Sequence, residues 1–350
     1  MSEQNQTQKQ ITEDEASLYD RQIRLWGLEA QNRMRSSTVL ILSLRSLAHE
    51  TIKNLVLAGI GRLIVADSDV VTEEDLGSGF LFREEDNAVG KLRTDAALEQ
   101  IQSLNPLVTL SKIGMDSFEG EEDKVAEILK KEAVDVVVTC DLSVKENERI
   151  DAAARKASSL FYAAGTYGFT GYVFADLGES YEYVVNSIDG LSKKVLSYPS
   201  FSTVLDRSNW AKPGGSPFKG LSRNATRSAA PATILGITAL WEYESQNGHL
   251  PAEESSLSAL TSSAESIRTA LGVNSTAVPS VDSSLLTHLA SHATHFFPPT
   301  LAILGGLLAQ DVLRALSRKD KPVANLLAVD SMSGVGTVGR WSMMDAKDTQ

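Results

Sequence analysis

The chain has 350 residues, 42% hydrophobic and 22% charged, with 33 Lys and Arg against 45 Asp and Glu, a net charge of −12. That length allows about two domains and a large core, and the acidic balance argues against a nucleic-acid or anionic-membrane binder. A single cysteine, Cys140, excludes an internal disulfide, a Cys-x-x-Cys redox centre and a cysteine zinc site within the chain, and favours a reducing compartment.

Residues 1–15 are polar and acidic, expected to be a disordered tail and neither a signal nor a transit peptide. From Ala16 to Met34 the apolar spacing predicts one amphipathic helix, weakened at Gly27. Strand-like runs follow at Thr38–Ser43, Leu63–Ala66, Val108–Ile113, Val134–Thr139 and Leu160–Ala164. Helical patterns lie between them at Leu47–Ala58, Glu85–Leu104, Asp123–Lys131 and Glu146–Ala157. Alternating helices and strands, with strands apolar on both faces, predict an α/β fold: a Rossmann-like, doubly wound, mostly parallel sheet.

After Gly165, Thr170–Asp176 and Tyr181–Val185 alternate like antiparallel strands. Residues 186–228 show little regular pattern, Ala230–Tyr243 reads as a helix, and Glu253–Ser266 as a solvated Ser-rich helix or loop. Helices near Leu285–Phe296 and Pro299–Ser317 precede strands at Asn325–Asp330 and Val335–Trp341. The longest apolar run, Leu301 to Ala309, is about half of what a membrane span needs. Residues 16–180 and 296–342 are thus expected to form one α/β domain, with 181–295 inserted in it, partly irregular and helical, and 343–350 a tail.

The first strand–turn–helix is where such a fold cradles a pyrophosphate with Gly-x-Gly-x-x-Gly, because only glycine allows the tight turn and close backbone approach. Here the turn is Ser43-Leu-Arg45-Ser46-Leu-Ala48, with Ser43, Ser46 and Ala48 standing in for glycines. Asp67 ends the second strand about where a ribose-binding carboxylate belongs, with Asp69 beside it. The scaffold is present without its phosphate cradle, which counts against a dehydrogenase. No nucleotide is expected in this site, and Asp67 and Asp69 are read as loop-capping carboxylates.

The opening Tyr19-Asp-Arg-Gln-Ile-Arg-Leu-Trp-Gly27 resembles that of the ubiquitin-activating enzyme superfamily, built on the ThiF/MoeB-type adenylation fold. Lys53-Asn-Leu-Val-Leu-Ala-Gly59, Val89-Gly-Lys91 through Leu104-Asn-Pro106, and Pro298–Leu316 with Asn325–Asp330 agree in order. Catalytic halves of these enzymes carry Asn-x-x-Arg-Gln after the second strand; here Asp75-Leu-Gly-Ser78-Gly79 lacks the arginine. Cys140, at the end of a buried-looking strand, is no thioester-forming thiol. The resemblance therefore implies the non-catalytic half of a two-subunit activating enzyme. ATP and magnesium would be bound at a catalytic partner that also carries the nucleophilic cysteine. SUMO is the implied modifier, NEDD8 an alternative, and a self-sufficient homodimeric MoeB/ThiF-like adenylase or a pure scaffold the rivals. Residence in nucleus and cytoplasm is implied as well.

The resemblance gives Arg21 a role in trans, on the triphosphate in the partner's site, which suits a planar guanidinium. Arg24 shares its helix face and, with Trp26, is an interface candidate; Trp26 also suits a core anchor. Lys91 matches a phosphate-binding lysine that has lost its companions and is expected to be solvated. Asp141 lies where catalytic halves keep a magnesium ligand, but no metal is expected in this chain. His288, His292 and His295 share a helical face without the glutamate of a zinc motif, and are read as a polar face. Gly305-Gly306 inside an apolar helix points to close packing, against the sheet or another subunit.

Overall fold

The computed structural model describes residues 11–187, 190–252 and 256–345; the rest of both expected tails lies outside them. The single opening helix is three: α1 (Glu13–Leu18), α2 (Asp20–Trp26) and α3 (Leu28–Arg35). Gly27 makes the second break, its φ of 89° lying in the left-handed region that glycine adopts freely, and its N–H closes α2 onto Ile23. α1 begins inside the stretch expected to be disordered. Thr12 and Glu15 cap each other's backbone N–H groups, and Glu15 pairs with Arg35 at 2.7 Å.

There follow β1 (Thr38–Leu42), α4 (Ser46–Ala58), β2 (Arg62–Ala66), α5 (Glu73–Ser78), α6 (Arg93–Leu104), β3 (Thr109–Lys112), α7 (Glu122–Lys131), β4 (Val136–Cys140), α8 (Val144–Ala157) and β5 (Leu160–Tyr167). The helix expected from Glu85 starts only at Arg93. Asn87 (φ 48°) and Gly90 (φ 82°) are left-handed, and the loop they shape is pinned where Val71 N–H donates to Lys91 C=O at 2.9 Å. The five strands pair in parallel in the order β3-β2-β1-β4-β5. β6 (Thr170–Asp176) folds back antiparallel on β5.

β7 (Tyr181–Ser187) and β8 (Gly190–Ser197) leave the main sheet as a hairpin. Next come α9 (Phe201–Leu205), α10 (Arg207–Trp210), α11 (Arg223–Ala229), α12 (Ala232–Asn247), α13 (Leu257–Ala270), α14 (Ser283–His292) and α15 (Pro298–Ser317). β9 (Leu326–Asp330) and β10 (Val335–Gly339) then extend the main sheet to eight strands, β9 pairing antiparallel with β6. β11 (Met344–Asp345), in what was expected to be tail, pairs with β8 to complete a three-stranded sheet.

Period-two alternation in the central strands feeds two cores. Val39, Ile41, Leu63, Val65, Val136 and Val138 face α4, α6 and α15, whereas Leu40, Leu42, Ile64 and Val137 face the α7, α8 and α12 side. Every one is fully buried, worth about 1.5–3 kcal/mol each. α15 is long and apolar enough to span a bilayer, but 61% of its most apolar window is buried inside this fold. The expected insertion shares both cores. Tyr181, Tyr183 and Leu196 of the β7–β8 hairpin join the first, and α12 to α14 build much of the second. Its weakly patterned part holds β8 and three short helices, each opened by a side-chain cap from Ser200, Asp206 or Ser222. α13 is not a solvated stretch: Leu260, Ala264 and Ile267 are buried.

Candidate functional site

A doubly wound sheet offers its ligand crevice where strand order reverses, at the carboxyl ends of the central strands. Here β1, β2 and β4 end at a cleft of about 240 Å³ lined by Ser43, Arg45, Asp67, Asp69, Glu119, Asp141 and Glu146 among others. Fingerprint spacing falls on Ser43, Arg45 and Ala48, so the second position belongs to Arg45 and not to Ser46. Ser43 keeps the left-handed backbone of the lost glycine, at φ 71°. Leu44, Leu47 and Ala48 are fully buried. Ser46 Oγ is hydrogen-bonded to Ser78 Oγ at 2.6 Å, joining the two sequence departures. Leu44 N–H, a donor that would face a phosphate, donates instead to Asp67 Oδ2 at 2.6 Å, and Asp69 N–H donates to Asp67 Oδ1 at 2.7 Å. Asp67 is thereby occupied as a loop cap.

Five carboxylates against the one cation Arg45 repel a polyanion. Asp141, at φ 54°, accepts from Thr166 N–H at 2.8 Å and from the Thr166 hydroxyl, while its Oδ2 has no partner among the described residues. Burial raises its pKa to about 6, against the bond from Thr166 and the charge of Arg45. No group of three or more His, Cys, Asp or Glu among the described residues is arranged to hold a metal. The residues present fit neither a nucleoside triphosphate nor its magnesium ion.

Two residues that sequence reasoning missed organise this region. Arg93 is buried and reaches Asp69 at 3.0 Å, Asp75 at 3.1 Å and Asp67 at 3.6 Å. Burial opposes its charge, but Asp67, Asp75 and Asp69 outweigh that and hold its pKa above the usual arginine range. His49, on α4, sits near Leu44 O (3.1 Å), Phe80 N–H (3.2 Å) and Leu81 N–H (3.4 Å). Because Nδ1 must accept from the two amides, the proton lies on Nε2 and is donated to Leu44 C=O. Burial lowers the His49 pKa to about 4. The only sequence signal for Arg93 is a lone arginine opening a helix after acidic loops; His49 has none.

Three of the resembling stretches meet at one point. Tyr19 is buried, its ring lies where a Cβ on Gly59 would fall, and Asn105 Nδ2 donates to its hydroxyl at 2.8 Å. From there α2 projects outward. Arg21 is exposed, and its side chain makes no hydrogen bond or ion pair among the described residues. Arg24, also exposed, pairs within the helix with Asp20 at 3.0 Å. Trp26 is half-buried against the core, its indole N–H donating to Gln31 Oε1 at 3.0 Å. Lys91 is exposed and donates to Asp86 C=O at 2.7 Å.

Cys140 is fully buried, which pushes its thiol pKa well up, so it is no nucleophile. His288 and His292 stack at 4.7 Å, with His295 5.4 Å from His292, and His288 Nε2 accepts from Phe169 N–H at 3.0 Å. Gly305 packs against α4, where a Cβ would come within 2.5 Å of Glu50 Cβ; Gly306 faces open space.

A doubly wound, mostly parallel sheet of adenylation type defines the class, and comparison with known proteins agrees on the fold and family. The chain belongs to the ThiF family, whose model matches residues 19–349. Within that family it is similar to SUMO-activating enzyme subunit 1 of Homo sapiens, 33% identical over 94% of this chain and 95% of that protein. SUMO-activating enzyme subunit 1B-1 of Arabidopsis thaliana is 30% identical over 94% and 97%. A crystal structure of PaaA shares the fold, with a TM-score of 0.55 at 15% identity over 99% of this chain and 77% of that one.

Proposed function

We propose that this chain is the non-catalytic subunit of a two-subunit SUMO-activating enzyme and is inactive by itself. The observation that carries the reading is the closed cradle: Ser46 bonded to Ser78, and the Leu44 amide consumed by Asp67. Similarity to subunit 1 proteins along nearly the whole chain supports the choice of modifier. ATP and magnesium are bound by the catalytic partner, subunit 2. There the SUMO C-terminal carboxylate displaces pyrophosphate from the α-phosphorus, and a partner cysteine then displaces AMP to form the thioester.

This subunit contributes scaffold, interface and Arg21. In the first turn of α2, exposed and with a side chain free of internal partners among the described residues, Arg21 enters the partner's site and pairs with the phosphates of ATP, offsetting charge that develops as pyrophosphate departs. Arg24 and Trp26 sit at the same interface, and the pair resides in nucleus and cytoplasm. The test is Arg21→Ala in the reconstituted pair. It assembles normally and loses about 100-fold or more of SUMO-dependent ATP–pyrophosphate exchange, the scale of one lost transition-state donor. Unchanged exchange removes Arg21 from the mechanism.

A further inference from the structure

On the side of the fold away from the cleft lie two buried carboxylates, Asp151 and Asp176, with one cation, Arg155, paired to the second. Asp151 and Arg155 are one turn apart on α8, and Asp176 ends β6. Asp176 is well supplied with donors: the Arg155 guanidinium grips both its oxygens, and Gly178 N–H donates to Oδ1 at 2.9 Å. Asp151 receives one, from Phe201 N–H at 2.7 Å to Oδ2. Its other oxygen, Oδ1, is buried without any donor among the described residues, although the Asp176 carboxyl lies within hydrogen-bond reach of Asp151. Two ionised carboxylates cannot bond to each other, since neither has a hydrogen to give. An orphaned buried acceptor also costs folding free energy, and more when it is charged.

We propose that Asp151 is held as the neutral acid in the folded protein and donates its proton from Oδ1 to Asp176, making a proton-dependent latch between α8, β6 and the start of α9. The choice of Asp151 as the acid follows from the donor inventory: Asp176 has Arg155 to stabilise its charge. Burial, then the charge of Asp176, push the Asp151 pKa well above the usual carboxylate range.

The latch holds a particular joint. Arg155 also donates to Tyr198 C=O at 2.6 Å, so residues 198–201 are tied at both ends to α8. That segment joins the three-stranded sheet to the helical layer, and Phe201 packs edge-on to Phe174 and Trp241. Exposed Glu179 also stands at the joint, 3.7 Å from Arg155, and the titratable Tyr198, whose hydroxyl donates to Val323 C=O, lies near Asp176. Losing the proton sets two carboxylates against each other with Arg155 alone to compensate, loosening the joint on the alkaline side.

The test is urea unfolding of the full chain against pH, for wild type and Asp151→Asn. The asparagine can donate Nδ2–H to Asp176 and accept from Phe201, but it cannot ionise. A carboxyl whose folded pKa is raised costs stability as pH climbs from the unfolded value towards the folded one. The ratio of folding constants, variant over wild type, therefore rises about tenfold per pH unit across that interval. A ratio independent of pH, which a purely structural role would give, overturns the proposal. Should the variant not fold, a ¹³C-aspartate NMR titration of wild type decides the matter. A carboxyl signal that titrates above the usual carboxylate range and survives Asp135→Asn, Asp141→Asn and Asp311→Asn is expected, and its absence overturns the latch.

Discussion

His49 is fully buried on α4, and its imidazole is locked by partners that demand opposite roles of its two nitrogens. Two backbone amides need Nδ1 as an acceptor, and Gly79 is glycine because a Cβ there would lie 2.3 Å from that nitrogen. Protonating the ring would turn the acceptor into a donor facing donors. With its folded pKa lowered to about 4 from 6.5 by burial, the unfolded chain binds the proton more readily than the native one. Stability from this residue is therefore complete above about pH 6.5 and is lost as pH falls towards 4, on the order of 3 kcal/mol in all. Replacing His49 by Gln, which can accept but not titrate in this range, flattens that part of the profile in acid-dependent urea unfolding. An unchanged acid limb would mean that other groups govern it.

At the scale of elements, the parallel half of the sheet is legible in sequence because its strands are buried on both faces and read as unbroken apolar runs. α13 is less legible, since serines dilute a spacing whose three apolar residues suffice once α12 covers them. The short helices between 200 and 229 rest on local caps, and no periodicity over four to seven residues could reveal them. Gly305-Gly306 was legible as a close-packing site, but only the structure separates the two. Gly305 meets Glu50 and the Thr51 backbone of α4, whereas Gly306 meets nothing within 4 Å. Gly305→Ala must push α15 away from α4 and costs about 1–3 kcal/mol. Gly306→Ala gains up to about 1 kcal/mol from helix propensity. Denaturant midpoints of the two variants, moving in opposite directions at equal m-value, check both. A Gly306→Ala chain that folds well but no longer pairs with its partner would mark the outer face of α15 as interface.

For the molecule as a whole, the absence of three glycines is legible in sequence, but not what has replaced them. The ion cluster of Arg93 with Asp67, Asp69 and Asp75 joins residues up to 26 positions apart, a pairing that depends on the loop after β2 meeting the first turns of α5 and α6 and leaves no local pattern. It makes the vacated cradle self-sufficient: Asp67 caps the turn, Arg93 pairs with the carboxylates behind it, and Ser46 bonds to Ser78. A site stabilised this way is not a cradle waiting for its ligand. Restoring glycine at Ser43, Arg45 and Ala48 would remove the cleft's one lining cation and leave five lining carboxylates of which only Asp67 and Asp69 are paired, with Arg93. Calorimetric titration of the isolated chain with MgATP is accordingly expected to give no binding at micromolar concentrations, and the triple-glycine variant none either. The pair with the catalytic subunit is expected to bind one equivalent. Micromolar binding by the isolated wild-type chain would reverse the division of labour proposed above and make it a self-sufficient adenylating enzyme. Two equivalents per pair would show that the closed cleft opens on assembly.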